Sequence, residues 1–177
     1  MNGDCVEKTN SIQNVILDAG PIIHLEEIDC LYLLTDFQRL IIPDAVWREV
    51  EYHRPSIFKN RDINFEKVSV ILDEDILSVC KLFCLDTGEV EAIALCSQYP
   101  DSILLTDDAS ARLVAKTLGI RAHGTIGVLL RAIRRKQFTP HETMRKLKEI
   151  PLKSTLFIRR SLLHEIIEEV KRAYGLI

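Results

Sequence analysis

Two short stretches decide the fold class: Asn14–Asp18 (NVILD) near the start of the chain and Ser102–Asp108 (SILLTDD) beyond its middle. Each has an apolar centre and ends in one or two acids. Short apolar runs of this kind are typical of strands that are buried on both faces of a parallel sheet. We therefore predict two buried strands that place carboxylates at their carboxyl ends.

The rest of the chain alternates between strand and helix patterns. Further strands are predicted at Gln38–Ile42, Lys67–Leu72 and Ile120–His123. Helical patterns are predicted at Pro21–Ile28, Leu31–Phe37, a helix with Pro43 in its first turn, Asp73–Cys84, Thr87–Cys96, Ser110–Leu118, Thr125–Gln137, His141–Glu149 and Ser161–Ala173. This alternation predicts one three-layer α/β domain with a mostly parallel sheet. We expect residues 1–177 to form that single domain, with a core over about 14–135 and a helical extension over about 139–175.

The composition excludes several classes of protein. Hydrophobic residues make up 47% of the chain and charged residues 28%, with 7 Gly and 6 Pro, which excludes collagen-like and largely disordered chains. No apolar run approaches the ~20 residues that span a bilayer, and no N-terminal stretch resembles a signal peptide. The five cysteines are odd in number, which favours reduced thiols, buried at Cys80 and Cys84, and a cytoplasmic location.

Charge is divided unevenly along the chain. The net charge of −3 at pH 7 by itself argues against a polyanionic partner. Residues 1–90, however, contain 8 basic and 17 acidic residues, whereas residues 91–177 contain 15 basic and 9 acidic residues. The basic excess is greatest from Ala109 to Arg160, where only Glu142 and Glu149 are acidic. This asymmetry indicates either a surface for a polyanion or a set of solvated helix faces.

The acids at the strand ends are the informative feature. Ligands of open α/β sheets bind beyond the carboxyl ends of the strands. If the two acid-terminated strands are neighbours, Asp18 faces Asp107 and Asp108 there. Glu49 and Glu89 lie on nearby predicted helices. Carboxylates that converge repel one another unless a cation neutralises them, and oxygen ligands without His or Cys suit Mg²⁺ or Mn²⁺, which assist phosphodiester cleavage.

Each acid also has a structural interpretation. Asp18 and Asp108 precede predicted helices, and Asp is a favoured N-cap residue. Asp86 and Glu89 have the spacing of a capping box. Glu49 fits an exposed helix face. Taken singly, each acid favours the structural role; taken together, at one edge of the sheet, the acids favour a cation site.

Five segments carry a family resemblance: Leu17–Ile23 (LDAGPII), Ile42–Val50 (IPDAVWREV), Gly88–Leu95 (GEVEAIAL), Leu105–Asp108 (LTDD) and His123–Leu130 (HGTIGVLL). In their order and spacing they resemble the PIN-domain nucleases, in particular the VapC-like toxins and their prokaryotic relatives. The resemblance covers about residues 14–135 well and the C-terminal helices more loosely. It implies a Rossmann-like α/β/α fold and hydrolysis of RNA with Mg²⁺ or Mn²⁺.

The resemblance also implies a set of site residues. Asp18 matches the first acid of the family, Glu49 the second, Glu89 the third and Asp108 the fourth, with Asp18, Glu89, Asp107 and Asp108 as the metal ligands. Glu91 is an alternative third acid, because sequence patterns locate helix positions only to within a few residues. Gly20 stands where many relatives carry Ser or Thr.

The expected function is therefore an endoribonuclease, the toxin of a toxin–antitoxin pair. The basic residues predicted to contact RNA are Arg112, Arg131, Arg134, Arg135 and Lys136. The last predicted helix is amphipathic, so it packs on the core of its own chain, on a second protomer or on a small antitoxin. The alternative function is a non-catalytic PIN-like module that binds RNA or a protein partner.

Overall fold

The sheet of this protein has five parallel strands. The structure, a computed structural model, describes residues 14–176. The strands are β1 (Asn14–Leu17), β2 (Arg39–Pro43), β3 (Phe65–Val68), β4 (Ile103–Leu105) and β5 (Arg121–His123). Their order across the sheet is β3-β2-β1-β4-β5, and every neighbouring pair is parallel. The chain therefore moves outward in one direction from β1 to β3 and in the other from β4 to β5, which makes the gap between β1 and β4 the point where the direction reverses.

Eight α-helices surround the sheet in the described part of the chain. They are α1 (Ala19–Glu27), α2 (Asp44–His53), α3 (Glu74–Leu82), α4 (Thr87–Gln98), α5 (Ala109–Thr117), α6 (Thr125–Arg134), α7 (Pro140–Lys153) and α8 (Arg160–Ala173). Two short 3-10 helices lie at Leu31–Asp36 and Ile57–Lys59. Helices lie on both faces of the sheet, which confirms the predicted three-layer α/β fold.

The alternation of side chains along β1 divides the core into two layers. Val15 and Leu17 belong to a large apolar cluster that includes buried residues of α1, α2, α6, α7 and α8. Ile16 belongs to a second cluster, formed with α3, α4 and α5. All three side chains have no exposed surface. A strand that is buried on both faces must be apolar at every position, which is the pattern that made β1 recognisable.

The predicted third strand is displaced along the chain. We predicted Lys67–Leu72, whereas β3 ends at Val68 and Phe65 pairs with Leu40. Val70 is half-buried against the second apolar cluster, but the last two residues of the predicted strand lie at the surface, with Ile71 80% and Leu72 44% exposed. β3 is an edge strand and only half-buried, so its sequence carries a weak apolar pattern. Pro43 also differs from the prediction, because it ends β2 and precedes the first turn of α2.

The C-terminal helices are attached through α6 and through a buried carboxylate. In α8, Leu163, Ile167 and Val170 pack into the main apolar cluster. Glu27, at the end of α1, accepts hydrogen bonds from the backbone N–H of Thr155 at 2.7 Å and from the hydroxyl of Ser154 at 2.9 Å. These contacts hold the segment between α7 and α8 against the core.

The cysteine prediction is half right. Cys80 is buried, but Cys84 is exposed, because the chain leaves α3 at this point and Cys84 takes a positive φ of 55°. Cys30 and Cys96 are also buried, and no described cysteine forms a disulfide. Between residues 14 and 176, none of the helices is both long enough and apolar enough to cross a membrane.

Candidate active site

The candidate site begins where β1 and β4 end side by side. The two strands pair directly, as the placement of the acids required. The backbone N–H of Asp18 donates to the carbonyl of Leu105 at 2.9 Å. The hydroxyl of Thr106 donates to Oδ2 of Asp18 at 2.7 Å, and the N–H of Ala19 donates to Oδ1 at 2.8 Å. Asp18 is thereby fixed at the reversal point of the sheet, the place where open α/β sheets bind ligands.

Asp18 is a buried acid, with 8% of its surface exposed. Burial raises the pKa of Asp18 to about 6, although the hydrogen bonds from Thr106 and Ala19 oppose the shift. The negative charges of Asp86 and Glu49 raise the pKa further. A buried carboxylate held among other acids is costly to ionise unless a cation approaches it.

Glu89 lies across from Asp18 in the first turn of α4. The N–H of Asp86 donates to Oε2 of Glu89 at 3.0 Å, and the N–H of Glu89 donates to Oδ1 of Asp86 at 2.9 Å. This is the predicted capping box. Burial raises the pKa of Glu89 to about 7; the hydrogen bond from Asp86 opposes this shift, and the charges of Asp86, Asp108 and Asp18 reinforce it.

Glu49 approaches the same place from α2. A Cβ added to Gly88 would lie 3.4 Å from Oδ1 of Asp86 and 3.6 Å from Oε2 of Glu49, so both carboxylates lie against this glycine. Burial is the larger cause that raises the pKa of Glu49, and the charge of Asp86 raises it further. The charge of His53 opposes the shift. Gly88 therefore lies between the two acids, where α2 and α4 pack together.

Asp108 approaches from the start of α5. Its Oδ1 accepts a hydrogen bond from the N–H of Ala111 at 2.8 Å, and its own N–H donates to the hydroxyl of Thr106 at 3.2 Å. The charge of Asp108 contributes to the raised pKa of Glu89. Five carboxylates therefore influence one another at this edge, and we refer to them as the acid cluster: Asp18, Glu49, Asp86, Glu89 and Asp108.

Two other predicted acids point to different partners. Both oxygens of Asp107 are engaged: Oδ1 accepts from the N–H of Thr125 at 2.8 Å, and Oδ2 accepts from the Thr125 hydroxyl at 2.6 Å and lies 2.8 Å from Nδ1 of His24. Oε2 of Glu91 accepts from the N–H of Ala45 at 2.7 Å. Asp107 thus joins β4 to α1 and α6, and Glu91 caps the start of α2.

The carboxylate oxygens of the acid cluster are ligands of the kind that a hard divalent cation prefers. Capping uses one oxygen of Asp86, Glu89 and Asp108, and among the described residues the second oxygen of each accepts no hydrogen bond. Within residues 14–176, no three His, Cys, Asp or Glu side chains come close enough to hold a metal ion by themselves. Mg²⁺ is usually bound by one or two carboxylates together with waters and substrate phosphates, so a closed protein cage is not required.

The basic residues predicted to contact RNA fall into two groups. Arg131 and Arg135 form ion pairs with Asp36, and the guanidinium of Arg131 also lies 4.7 Å from the ring centroid of Phe37. Their charges are therefore partly used within the fold. The remaining three make no ion pair with any residue that the structure describes: Arg112, Arg134 and Lys136.

Sequence reasoning missed several residues around the site. It gave Asp86 only a capping role, although Asp86 affects the pKa of Asp18, Glu49 and Glu89. The spacing of the capping box already places Asp86 beside Glu89, and that spacing was the available signal. Thr106 was predicted at the end of the fourth strand and in the Thr-x-Asp spacing of the family, but its contact with Asp18 was not predicted. Its role depends on the pairing of β1 with β4, a contact between residues 88 positions apart in the chain.

Comparison with known protein families agrees with this arrangement. Residues 14–172 match the family DUF3368, described as a PIN domain. No curated protein matches the chain. The match covers almost all of the described chain and all the residues of the acid cluster, and the five-stranded parallel sheet between helices is consistent with this fold. The chain therefore belongs to the PIN-domain family, a nuclease-type family.

Proposed function

We propose that this protein is a metal-dependent endoribonuclease that uses the acid cluster to bind Mg²⁺ or Mn²⁺. The observation that carries the proposal is the convergence of five carboxylates at the junction of β1 and β4, with the pKa of Asp18 raised to about 6 and that of Glu89 to about 7. Helix capping accounts for some of these acids singly, but their mutual repulsion at a half-buried edge opposes folding unless a cation neutralises it.

Each acid has a distinct part in this proposal. Asp18, held by Thr106 and Ala19, is the most rigid ligand. Glu89 and Asp108 supply oxygens from the two helices on the other side of the crevice, and Glu49 supplies one from α2. When bound, the cation supplies an activated water and stabilises the charge that develops at the scissile phosphate.

The surroundings favour a polyanionic substrate. Arg112 lies one turn into α5, the helix that begins at Asp108, and it makes no ion pair in the described part of the chain. Arg112, Arg134 and Arg121 all lie near enough to His123 to lower its pKa, after the larger effect of burial. Positive charge is therefore present next to the acid cluster, where it can attract the phosphates that flank the cleavage position.

The biological setting belongs to the same proposal. The motifs resemble those of VapC-like toxins, so we propose that the protein is the toxin of a toxin–antitoxin pair and that its partner is a small antitoxin. A homodimer is a further proposed assembly. A short reading frame adjacent to the gene, whose product co-purifies with this chain and suppresses RNA cleavage, would support the toxin assignment. Co-expression of the two products with one affinity tag tests it.

One observation favours a second candidate, a non-catalytic PIN-like module that binds RNA or protein. Asp18, Asp86 and Asp108 all serve as N-caps, so the fold has a use for these acids without any metal. Gly20 also lacks the hydroxyl that many relatives carry at this position. The two candidates differ in one property, the cleavage of RNA in the presence of metal.

The experiment incubates the purified protein with a fluorescent single-stranded RNA and Mn²⁺, with and without EDTA. We expect cleavage by the wild type and a loss of at least 100-fold in Asp18→Asn and Glu89→Gln, because removal of one charge-stabilising group typically costs 10²–10³ in rate. Asp73→Asn is the matched control, since Asp73 caps α3 and lies outside the acid cluster. Glu91→Gln tests the alternative third acid.

The outcomes separate the candidates. Cleavage that is unchanged in Asp18→Asn and Glu89→Gln excludes the acid cluster as the active site. Loss of cleavage in Glu91→Gln but not in Glu89→Gln moves the third acid to Glu91. RNA binding without metal-dependent cleavage by the wild type favours the non-catalytic module.

A further inference from the structure

A groove begins at the acid edge of the sheet and runs under the segment between α7 and α8. Its volume is about 490 Å³, and its lining includes the polar residues Asp107, Arg112 and Arg159. Phe157 and two apolar side chains of α8, Leu162 and Ile166, line it as well. None of the five acids of the cluster lines the groove, but Asp107 follows β4 and Arg112 lies on α5, the helix that Asp108 caps, so the groove lies at the same edge of the sheet.

The outer wall presents an exposed aromatic ring. From Leu156 to Ile158 the side chains alternate: Leu156 and Ile158 pack against the main apolar cluster, whereas Phe157 lies between them and is 88% exposed. An extended chain turns successive side chains to opposite sides, so the two inward residues force Phe157 outward. The hydrogen bonds from Thr155 to Glu27 fix the backbone two residues earlier. A phenylalanine so exposed has no packing role of its own to explain its position.

The groove also carries unpaired positive charge. Arg112 lies on one side and Arg159 on the other, and neither makes an ion pair with the residues that the structure describes. His123, which also lines the groove, has its pKa lowered first by burial and then by Arg112, Arg134 and Arg121. Asp107 is the only acid in the lining among described residues, and its oxygens are already bound by Thr125 and His24.

We propose that this groove binds an unpaired nucleotide next to the cleavage position, with the base stacked on Phe157 and the flanking phosphates held by Arg112 and Arg159. The proposal rests on the proposed function and extends it, because it names the residues that would hold the strand beside the cleavage position. An aromatic ring stacks on any base, and arginines bind phosphates without regard to sequence. In a duplex the bases are already stacked and the same ring has nothing to contact.

The charges argue for RNA over other occupants of the groove. A second copy of this chain carries 23 basic and 26 acidic residues, so it would bring like charges as well as opposite charges toward Arg112 and Arg159. A nucleic acid matches both properties of the groove at once, since it combines apolar base faces with phosphates at regular spacing. Arg112, which lines the groove, lies one turn into α5, the helix that Asp108 caps, so the groove reaches the edge of the sheet that carries the acid cluster.

The test measures binding separately from cleavage. The probe is a fluorescein-labelled uridine dodecamer in EDTA at low salt, and binding is followed by fluorescence anisotropy. We expect Phe157→Ala to weaken binding at least five-fold and Phe157→Trp to retain it. We expect Arg159→Gln to weaken binding and to reduce the slope of log Kd against log salt by about 0.7, the value for one phosphate contact on a single strand.

Matched controls lie elsewhere on the surface. Leu152→Ala removes an apolar side chain that is 82% exposed on α7, and Lys148→Gln removes one exposed positive charge from the same helix. Both are expected to bind the dodecamer as the wild type does. Thermal unfolding verifies that each variant is folded. Because Phe157 is 88% exposed, we expect its substitution to leave the unfolding temperature unchanged. A duplex of the same length is expected to compete poorly.

Three results would overturn the inference. The first is unchanged affinity in Phe157→Ala and Arg159→Gln, and the second is equal competition by the duplex. The third is a wild-type dimer that Phe157→Ala converts to a monomer, which would assign the groove to a second copy. The inference and the proposed function can fail separately. If binding depends on the groove but the wild type does not cleave RNA, only the proposed nuclease function is overturned. If Phe157→Ala cleaves RNA with the KM of the wild type, only the proposed role of the groove is overturned.

Discussion

The hydroxyl of Thr106 donates to Oδ2 of Asp18 at 2.7 Å and accepts a hydrogen bond from the N–H of Asp108 at 3.2 Å. Thr106 is 1% exposed and follows β4, whereas Asp18 follows β1. A single buried hydroxyl therefore joins two acids of the cluster. It also supplies Asp18 with a side-chain hydroxyl contact, although position 20 carries a glycine.

We predict that Thr106→Val destabilises the protein by about 1–3 kcal/mol, since it leaves buried hydrogen-bonding groups unsatisfied. RNA cleavage should fall as well, because Asp18 loses the contact that orients it. Thr143→Val is the control: Thr143 is fully buried, and its hydroxyl has no hydrogen-bond partner in the described chain, so the change should be neutral or stabilising. Urea unfolding measures the free energy of unfolding of both variants. Equal effects of the two substitutions would contradict the role assigned to Thr106.

We predict that Mn²⁺ stabilises the protein against heat. A cation that neutralises the acid cluster binds the folded state only. At a concentration ten times its Kd it adds about 1.4 kcal/mol to the free energy of unfolding. For a chain of this size the midpoint of thermal unfolding should rise by about 3–6 °C. Asp18→Asn and Glu89→Gln should reduce the rise, and Asp73→Asn should not. Differential scanning fluorimetry tests this, and an equal rise in all four proteins would place the ion elsewhere.

We predict that Gly124→Ala is destabilising, by about 1–3 kcal/mol. A Cβ at position 124 would lie 2.3 Å from Oδ1 of Asp107 and so would displace the carboxylate that binds Thr125. Gly20→Ala is the control, because its Cβ would meet no atom closer than 3.5 Å and α1 should tolerate it. Calorimetric unfolding compares the two variants. A Gly124→Ala protein as stable as the wild type would show that Asp107 moves without cost.

The pH dependence of stability should depend on Glu27. Burial acts to raise the pKa of Glu27, but hydrogen bonds from Thr155, Ser154 and Arg54 outweigh burial and lower it. A lowered pKa in the folded state means that Glu27 stabilises the fold above the pKa of the unfolded chain, about 4.3, and loses this contribution as the pH falls.

The experiment compares wild type and Glu27→Gln by urea unfolding between pH 7 and pH 3. We expect the variant to be less stable by about 1–3 kcal/mol at pH 7 and the difference to shrink below about pH 4.5. Glu165→Gln, an exposed change on α8, should track the wild type at every pH. A difference that grows toward low pH would contradict the sign derived for Glu27.

The sequence predicted the buried strands better than the edge of the sheet. β1 and β4 are apolar on both faces, and this pattern has few other interpretations. β3 is half-buried, so its contacts with β2 decide its position and the local sequence does not. The acids could be located along the chain, because each follows a strand or begins a helix.

The grouping of the acids in space was harder to predict from the sequence. The divergence of Asp107 from Asp108 depends on Thr125 and His24, which lie on α6 and α1. Asp36 binds both Arg131 and Arg135, which lie about a hundred residues away in the chain. No local sequence pattern predicts such a pairing. Local rules therefore place side chains on elements, whereas contacts between distant elements decide which of them share a site.

The double role of the capping acids has a consequence for how this protein can change in evolution. Asparagine caps a helix about as well as aspartate, because it keeps the oxygen that accepts from the backbone N–H. An Asp→Asn exchange at position 18 or 108 would therefore remove charge from the acid cluster and leave α1 and α5 capped. A single-nucleotide change is enough for this exchange. The charge of the acid cluster and the stability of the fold are thus separable at these positions.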